Sequence, residues 1–260
     1  MTITSRPRSA ADVAAGLGTV LGIWAHPDDE AYLSGGLMAA AVDAGARVVC
    51  VTATRGERGT PDPHRWPPAR LAPLREAELS ASLAVLGVTD HRHLGYPDGG
   101  CAEVPAGDAV GRLAEVIAEV RPDTVLTFGP DGMTGHPDHR TVSAWTTSAV
   151  RQSEPGTALR LLYATKTAPW CDRFDALNRA LQVFPPGLPP RVPEAEVAVD
   201  VVLPEDLLDR KVAALRAHAS QVGSLIDEVG EASFRSWIAS ESFSLAPEPR
   251  TGSKGGSQWT

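Results

Sequence analysis

The stretch VLGIWAHPDDEAYLSGG, residues 20–36, couples an apolar run directly to a histidine, two aspartates and a glutamate. TVLGIWA (19–25) reads as a compact buried strand, and EAYLSGGLMAAAVDAG (30–45) has helical composition closed by Gly45. His26, Pro27, Asp28, Asp29 and Glu30 therefore sit where a core strand ends and a helix begins. In open parallel sheets, ligands bind beyond the carboxyl ends of the strands.

Working outward, the same alternation repeats. ARVVCVTAT (46–54) is strand-like, a proline-rich loop spans about 56–70, and LREAELSASLAVLG (74–87) is helical. HRHLGY (91–96) reads as a short strand, GDAVGRLAEVIAEVRP (107–122) as an amphipathic helix and DTVLTFG (123–129) as a buried strand. HRTVSAWTTSAVRQ (139–152) is a further helix. Repeated strand–helix–strand units predict an α/β fold, a three-layer, Rossmann-like, mostly parallel sheet flanked by helices. The second half is less regular: LRLLYATK (159–166) and AEVAVDVVL (195–203) read as strands, and PEDLLDRKVAALRAHAS (204–220) as a helix. Residues 1–246 are expected to form one domain, with 1–16 a surface lead-in and 247–260 a loop-like, flexible tail. The paired Gly35 and Gly36 inside a helix cost roughly 1 kcal/mol each against alanine, which predicts close packing of that helix on the sheet.

A second polar cluster, GPDGMTGHPDHR (129–140), follows DTVLTF as the first follows TVLGIWA, and both contain His-Pro-Asp. Two such clusters on one sheet can converge on a point. Imidazole and carboxylate suit Zn²⁺ and related ions, and a catalytic zinc takes three protein ligands and leaves a position open for water. A tight turn can bring His26 and Asp29 to one side, with His139 as the third ligand. Asp28 would remain beside the metal as a base for water. Such a site also accepts Fe²⁺, Co²⁺ or Mn²⁺.

AHPDDE (25–30) with the later GHPDHR (135–140) resembles the PIG-L/LmbE-like deacetylases, zinc-dependent hydrolases of N-acetylated sugar conjugates. Weaker supporting matches are TRGERG (54–59), LREAEL (74–79), LGYPDGG (94–100) and AHASQ (217–221). The resemblance implies that His26, Asp29 and His139 hold zinc and that Asp28 is the general base. It further implies that His136 stabilises the oxyanion and, when protonated, assists the departing amine, while Asp138 orients His136. Glu57, Arg75 and Asp98 fall where polar groups of relatives meet the sugar. Some relatives carry a tyrosine just before the second motif; here Met133 and Thr134 stand there. On a helix, His218 of AHASQ has packing and hydrogen bonding as its simplest role, and His91 and His93 read as structural or surface groups.

The expected function is acetyl removal from an N-acetylated amino-sugar conjugate by attack of metal-activated water. The alternatives are an amidase for a larger thiol or natural-product conjugate, and a metal-binding protein without turnover. The formal charge of −8 without a basic cluster argues against nucleic-acid or anionic-membrane partners, and no apolar run approaches the length of a membrane span. A homo-oligomer is compatible with the sequence. Cys50, Cys101 and Cys171 are odd in number and far apart, without a CxxC pair. That pattern predicts a reducing, cytoplasmic setting.

Overall fold

The computed structural model describes residues 9–60, 62–153 and 159–247. The first eight residues of the expected lead-in and residues 248–260 of the expected tail lie outside them. A central sheet runs in the order β3-β2-β1-β4-β5-β8-β7. Five strands are mutually parallel: β1 (Val20–Trp24), β2 (Val48–Thr54), β3 (Asp90–Tyr96), β4 (Thr124–Phe128) and β5 (Arg160–Thr167). β8 (Ser240–Leu245) and β7 (Val199–Val202) extend it antiparallel, and the two-residue β6 (Arg191–Val192) pairs with β5. The α/β, mostly parallel sheet is the one the strand–helix alternation predicts.

Every residue of β1, β2 and β4 is buried. That explains why they read as unbroken apolar runs: a parallel strand covered on both faces has no solvent side to alternate with. α2 (Asp29–Asp43), α3 (Pro68–Leu86), α4 (Ala106–Val120) and α5 (Pro137–Arg151) make the crossovers. The strand order reverses between β1 and β4, so their carboxyl ends open a crevice at the switch point.

The structure departs from the sequence reading in several places. Residues 10–15 of the expected surface lead-in form helix α1 (Ala10–Ala15), capped by Ser9 and burying Ala10, Val13 and Ala14 against α2. α3 starts inside the expected proline-rich loop, with Pro68 in its first turn, where a missing N–H costs nothing. The expected helix 204–220 is two, α7 (Glu205–Ala217) and α8 (Ala219–Val229), broken at His218. The expected strand 195–203 is confined to β7, preceded by a 3₁₀ turn at Glu194–Glu196. α6 (Ala168–Leu181), α9 (Glu231–Ile238) and β8 were not legible as elements.

The Gly35–Gly36 pair marks close packing on the sheet side, at β8 and Leu203, and also against α3 and α7. A Cβ on Gly36 would lie 2.4 Å from both Cδ atoms of Leu203, and one on Gly35 would meet Lys211 and Leu86. The same stretch of α2 donates the N–H groups of Gly36 and Leu37 to the two carboxylate oxygens of Glu241, each at 2.8 Å. Lys211 Nζ lies 2.7 Å from Glu241 Oε1, and neither side chain reaches solvent. One residue of the outlying β8 is thereby tied to the helix that carries the first polar cluster. Lys211→Met would leave that carboxylate buried without its cation and is expected to cost about 3–5 kcal/mol, read from urea unfolding. Adding Glu241→Gln should recover part of the loss, and strict additivity would refute the coupling.

Candidate metal centre

β1 ends at Trp24, and the chain turns sharply before α2 begins at Asp29. The turn is held from within: the His26 N–H donates to Asp29 Oδ2 at 2.8 Å, and the Asp28 N–H to Glu30 Oε2 at 3.0 Å. Asp28 pays for the turn with a left-handed backbone, φ 108° and ψ −29°. Strain of this kind on a non-glycine residue persists only where its surroundings over-determine it. Here they do. Arg75 Nη2 donates to the Pro27 carbonyl at 2.5 Å and to Asp28 Oδ2 at 3.0 Å, while its Nη1 donates to the Gly56 carbonyl at 2.8 Å. Gly56 is a necessity of that contact, since a Cβ there would fall 2.2 Å from Nη1.

The second cluster hangs from the end of β4. His136 caps α5, its Nδ1 accepting the Asp138 N–H at 3.2 Å, so Asp138 and His139 open the first turn of that helix. The rings of His26, His136 and His139 converge with centroids 4.8–5.1 Å apart, and Phe128 stacks on His139 at 4.1 Å. His26 Nδ1 and His139 Nε2 face each other at 3.1 Å. Asp29 closes the triangle, 3.6 Å from His26 Nδ1 and 3.4 Å from His139 Nε2.

The outer hydrogen bonds decide which nitrogens carry protons. His139 Nδ1 lies 3.0 Å from the Gly132 carbonyl, an acceptor only, so the proton belongs on Nδ1 and Nε2 presents a lone pair. His26 Nε2 lies 3.1 Å from Asp98 Oδ1 and 3.2 Å from Asp138 Oδ2, so its proton belongs there and Nδ1 presents a lone pair. The two inward nitrogens and the Asp29 carboxylate therefore converge on one point, where either a proton on His26 Nδ1 or a cation can bridge them. Two imidazoles around a tetrahedral ion at about 2.0–2.1 Å each stand about 3.3 Å apart, close to the separation seen. The donor set fits a divalent metal. Carboxylate behind ligating histidine is also the usual way such ligands are oriented.

The charges follow from this packing. Burial presses the His26 charge down most strongly, yet hydrogen bonds to Asp138, Asp29 and Asp98 outweigh it and raise its pKa. Asp29 is held well below the carboxylate range despite burial, by His139 and His26. Asp138 is similarly held at about 2 against burial, by His26 and by the N–H groups of Gly99 and Cys101. Asp28 moves the other way. Burial lifts it to about 6, although Arg75 pulls it down. A carboxylate poised near neutrality beside a metal pocket is suited to accept a proton at working pH.

Several expected roles change. Asp138 does not pair with the His136 ring; its carboxylate is spent on His26, Gly99 and Cys101. His136, the least buried of the three histidines, uses Nδ1 as a cap acceptor, and burial together with His26 lowers its pKa. Both effects favour a neutral ring with a free Nε2–H over the imidazolium expected from sequence. Arg75 is buried and bonded to the strained turn, and so does not reach toward the site's opening. Asp98 sits behind His26 and accepts the Arg58 N–H at 2.7 Å. Glu57 accepts the Asp98 N–H through Oε1, while its buried Oε2 has no partner among the described residues. Thr134 Oγ1 lies 3.2 Å from His139 Nδ1 and thus belongs to the support of that ring.

The remaining motifs lock the first turn from behind. Glu30 Oε1 lies 3.1 Å from His218 Nε2, both buried, and Glu78 accepts the N–H and hydroxyl of Ser220 at 2.8 and 2.7 Å. Gln221 donates to the Gly59 carbonyl at 3.1 Å. Glu30 is the member of the first cluster whose role the sequence left unread; its spacing to His218, far along the chain, carried no local signal.

Fold and donor set together define an α/β protein with a candidate divalent-metal centre at the switch point of its sheet. The family pattern described as GlcNAc-PI de-N-acetylase (PIG-L) matches residues 21–150. A 1D-myo-inositol 2-acetamido-2-deoxy-alpha-D-glucopyranoside deacetylase of Acidothermus cellulolyticus is 33% identical over 250 residues, covering 83% of this chain and 86% of that one. The chain belongs to the PIG-L family. Among solved structures, the N,N'-diacetylchitobiose deacetylase of Pyrococcus horikoshii shares the fold with TM-score 0.61 and 24% identity, over 89% of this chain and 84% of that one. The A40926 pseudoaglycone deacetylase Dbv21 does so with TM-score 0.63 and 21% identity, over 87% and 96%.

The His218–Glu30 pair makes a pH-dependent contribution to stability. Burial opposes the imidazolium most, but the hydrogen bond and charge of Glu30 prevail and raise the folded-state pKa above 6.5. A raised folded pKa stabilises fully below the unfolded value and is lost as pH climbs through the folded one. His218→Asn should therefore flatten the decline in unfolding free energy as pH rises from below 6.5 through that raised value, measured by urea titration across the range.

Proposed function

We propose that this chain is a metal-dependent N-deacetylase that hydrolyses the amide of an N-acetylated amino-sugar conjugate. The observation that carries the proposal is the pair of facing lone pairs on His26 and His139, closed by Asp29 and flanked by Asp28. His26, Asp29 and His139 would hold the ion. Zn²⁺ is the first choice for this donor set, with Fe²⁺, Co²⁺ and Mn²⁺ as alternatives. When bound, the ion would lower the pKa of a coordinated water towards about 7 and polarise the amide carbonyl.

The chain's own residues do the rest. Asp28, held in its strained position by Arg75, accepts the proton of the attacking water. The free Nε2–H of His136 faces the same space and donates to the oxyanion as it develops, a contribution worth on the order of 3 kcal/mol. As the carbon–nitrogen bond breaks, the proton that Asp28 took from the water passes to the departing nitrogen, leaving acetate and an amine. Arg75 and Asp138 act by positioning: one orients Asp28, the other His26. Glu57, which holds the Asp98 N–H through Oε1, is the carboxylate assigned to a sugar hydroxyl by the family resemblance.

The relative's name supports a glucosaminyl-inositol as the first substrate to test. Cys50, Cys101 and Cys171 are all buried free thiols, which supports a reducing, cytoplasmic compartment. Among the described residues no helix is long and apolar enough to cross a membrane.

Metal-stripped protein reloaded separately with Zn²⁺, Fe²⁺, Co²⁺ and Mn²⁺ should release acetate and free amine from N-acetylglucosaminyl-inositol. Asp28→Ala is expected to keep its bound metal by elemental analysis and lose at least about 100-fold in kcat. Full turnover in that variant would remove the base assignment. His139→Ala should lose the metal itself, and a metal content equal to wild type would place the ion elsewhere.

A further inference from the structure

A cavity of about 250 Å³ opens from the candidate centre, with Asp28, Asp29 and His139 on its inner wall. Beyond them its lining is mostly apolar, with Trp170, Phe184, Trp237, Val183, Leu225 and Ile238 on the wall and Tyr32 and Thr134 as neutral polar side chains. Lys166 is the one cationic group on the wall. Its Nζ is already bonded to the Ser240 carbonyl at 3.0 Å and lies 4.7 Å from the Trp170 ring centre. A polyol placed here would lose its water and find few partners for its hydroxyls. An acetyl methyl would leave the space largely empty, since about 150 Å³ already accommodates a benzene ring.

The cavity's position indicates which end of the substrate it takes. The carbonyl carbon carries the acyl chain on one side and nitrogen on the other. Glu57, proposed above to meet a sugar hydroxyl, is not on the cavity wall, and neither is Asp98 nor His136. With the sugar on the Glu57 side, the acyl chain runs the other way, past Asp28 into the cavity.

We infer that the cavity is an acyl-chain pocket, and that the enzyme hydrolyses amides of an amino sugar with medium-length or aromatic acyl groups in preference to acetyl. The inference rests on the amide-hydrolysis reading above and extends it to the acyl group. The reaction balances as any hydrolysis does: water supplies oxygen to the acyl carbon, the carbon–nitrogen bond breaks, and a proton goes to nitrogen. Each methylene moved from water into this lining is worth up to about fourfold in kcat/KM.

The test compares N-acetyl-, N-butanoyl-, N-hexanoyl- and N-phenylacetyl-glucosaminyl-inositol on the zinc-loaded full chain. Hexanoyl is expected to exceed acetyl at least tenfold in kcat/KM. Val183→Trp, on the loop after α6, should cut that ratio at least tenfold, and Phe184→Ala should shift the optimum to a longer chain. A flat or acetyl-favouring series, or a hexanoyl preference unmoved by both variants, overturns the inference while leaving deacetylation standing. If no amide is cleaved, the proposed function fails and binding decides the pocket alone. Hexanoate titrated against the fluorescence of Trp170 and Trp237, with Trp170→Phe as the control, should then bind at least tenfold tighter than acetate and lose that advantage in Val183→Trp. Equal binding of the two acids would refute the pocket.

Discussion

The structure depends on an electrostatic conflict at the switch point of the sheet. Two imidazole nitrogens and a carboxylate are forced together, and their outward-facing atoms are already bonded. Uncompensated, this arrangement would be expensive, because buried polar groups without partners lose the solvation they had in water. It is held by the surrounding fold: Gly132 fixes one ring, Asp98 and Asp138 the other, and the His26 N–H fixes Asp29. The centre is thus pre-organised for a cation.

A second layer of buried ionic contacts keeps that centre in place. Arg75 clamps the strained Asp28, Glu30 meets His218, Glu78 meets Ser220, and Glu241 ties α2 to β8 through Lys211. The first two reach the loop after β1 and the first turn of α2, while Glu78–Ser220 joins α3 to α8 and Glu241 grips the middle of α2. Buried ion pairs contribute little net stability compared with apolar packing, but breaking one is costly. Their effect here is to permit one geometry of the turn and disfavour others. The strain at Asp28 is the local cost of that restriction, and it sits on the carboxylate that burial lifts toward neutrality.

On one side of the centre lie polar groups, among them His136 and Glu57; on the other is the apolar cavity. The polar side is built from the parallel half of the sheet, which the family pattern spans. The apolar side is built mainly from α6, α8, α9 and the loop after α6, which lie beyond residue 150. The candidate metal centre and the apolar cavity thus draw largely on different parts of the chain, as expected when a common fold carries variable loops at the ends of its strands.

The sequence by itself determined the parallel strands, the two polar clusters and the three candidate ligands. Those features are local: an apolar run such as TVLGIWA needs no partner to declare burial, and His-Pro-Asp at its end is contiguous. β8 was illegible because SESFSL holds only two apolar residues and its inward-facing Glu241 is a charge, buried against Lys211. α9 and α8 are short amphipathic segments whose buried faces exist only once α6 and the sheet are in place. The tertiary structure alone decided that Asp138 serves His26 and not His136, that Arg75 holds the turn, and that an apolar cavity adjoins Asp28. The reason is the same in each case: a side chain's partner across many residues is chosen by which atoms the fold brings within hydrogen-bond reach, and no local pattern encodes that choice.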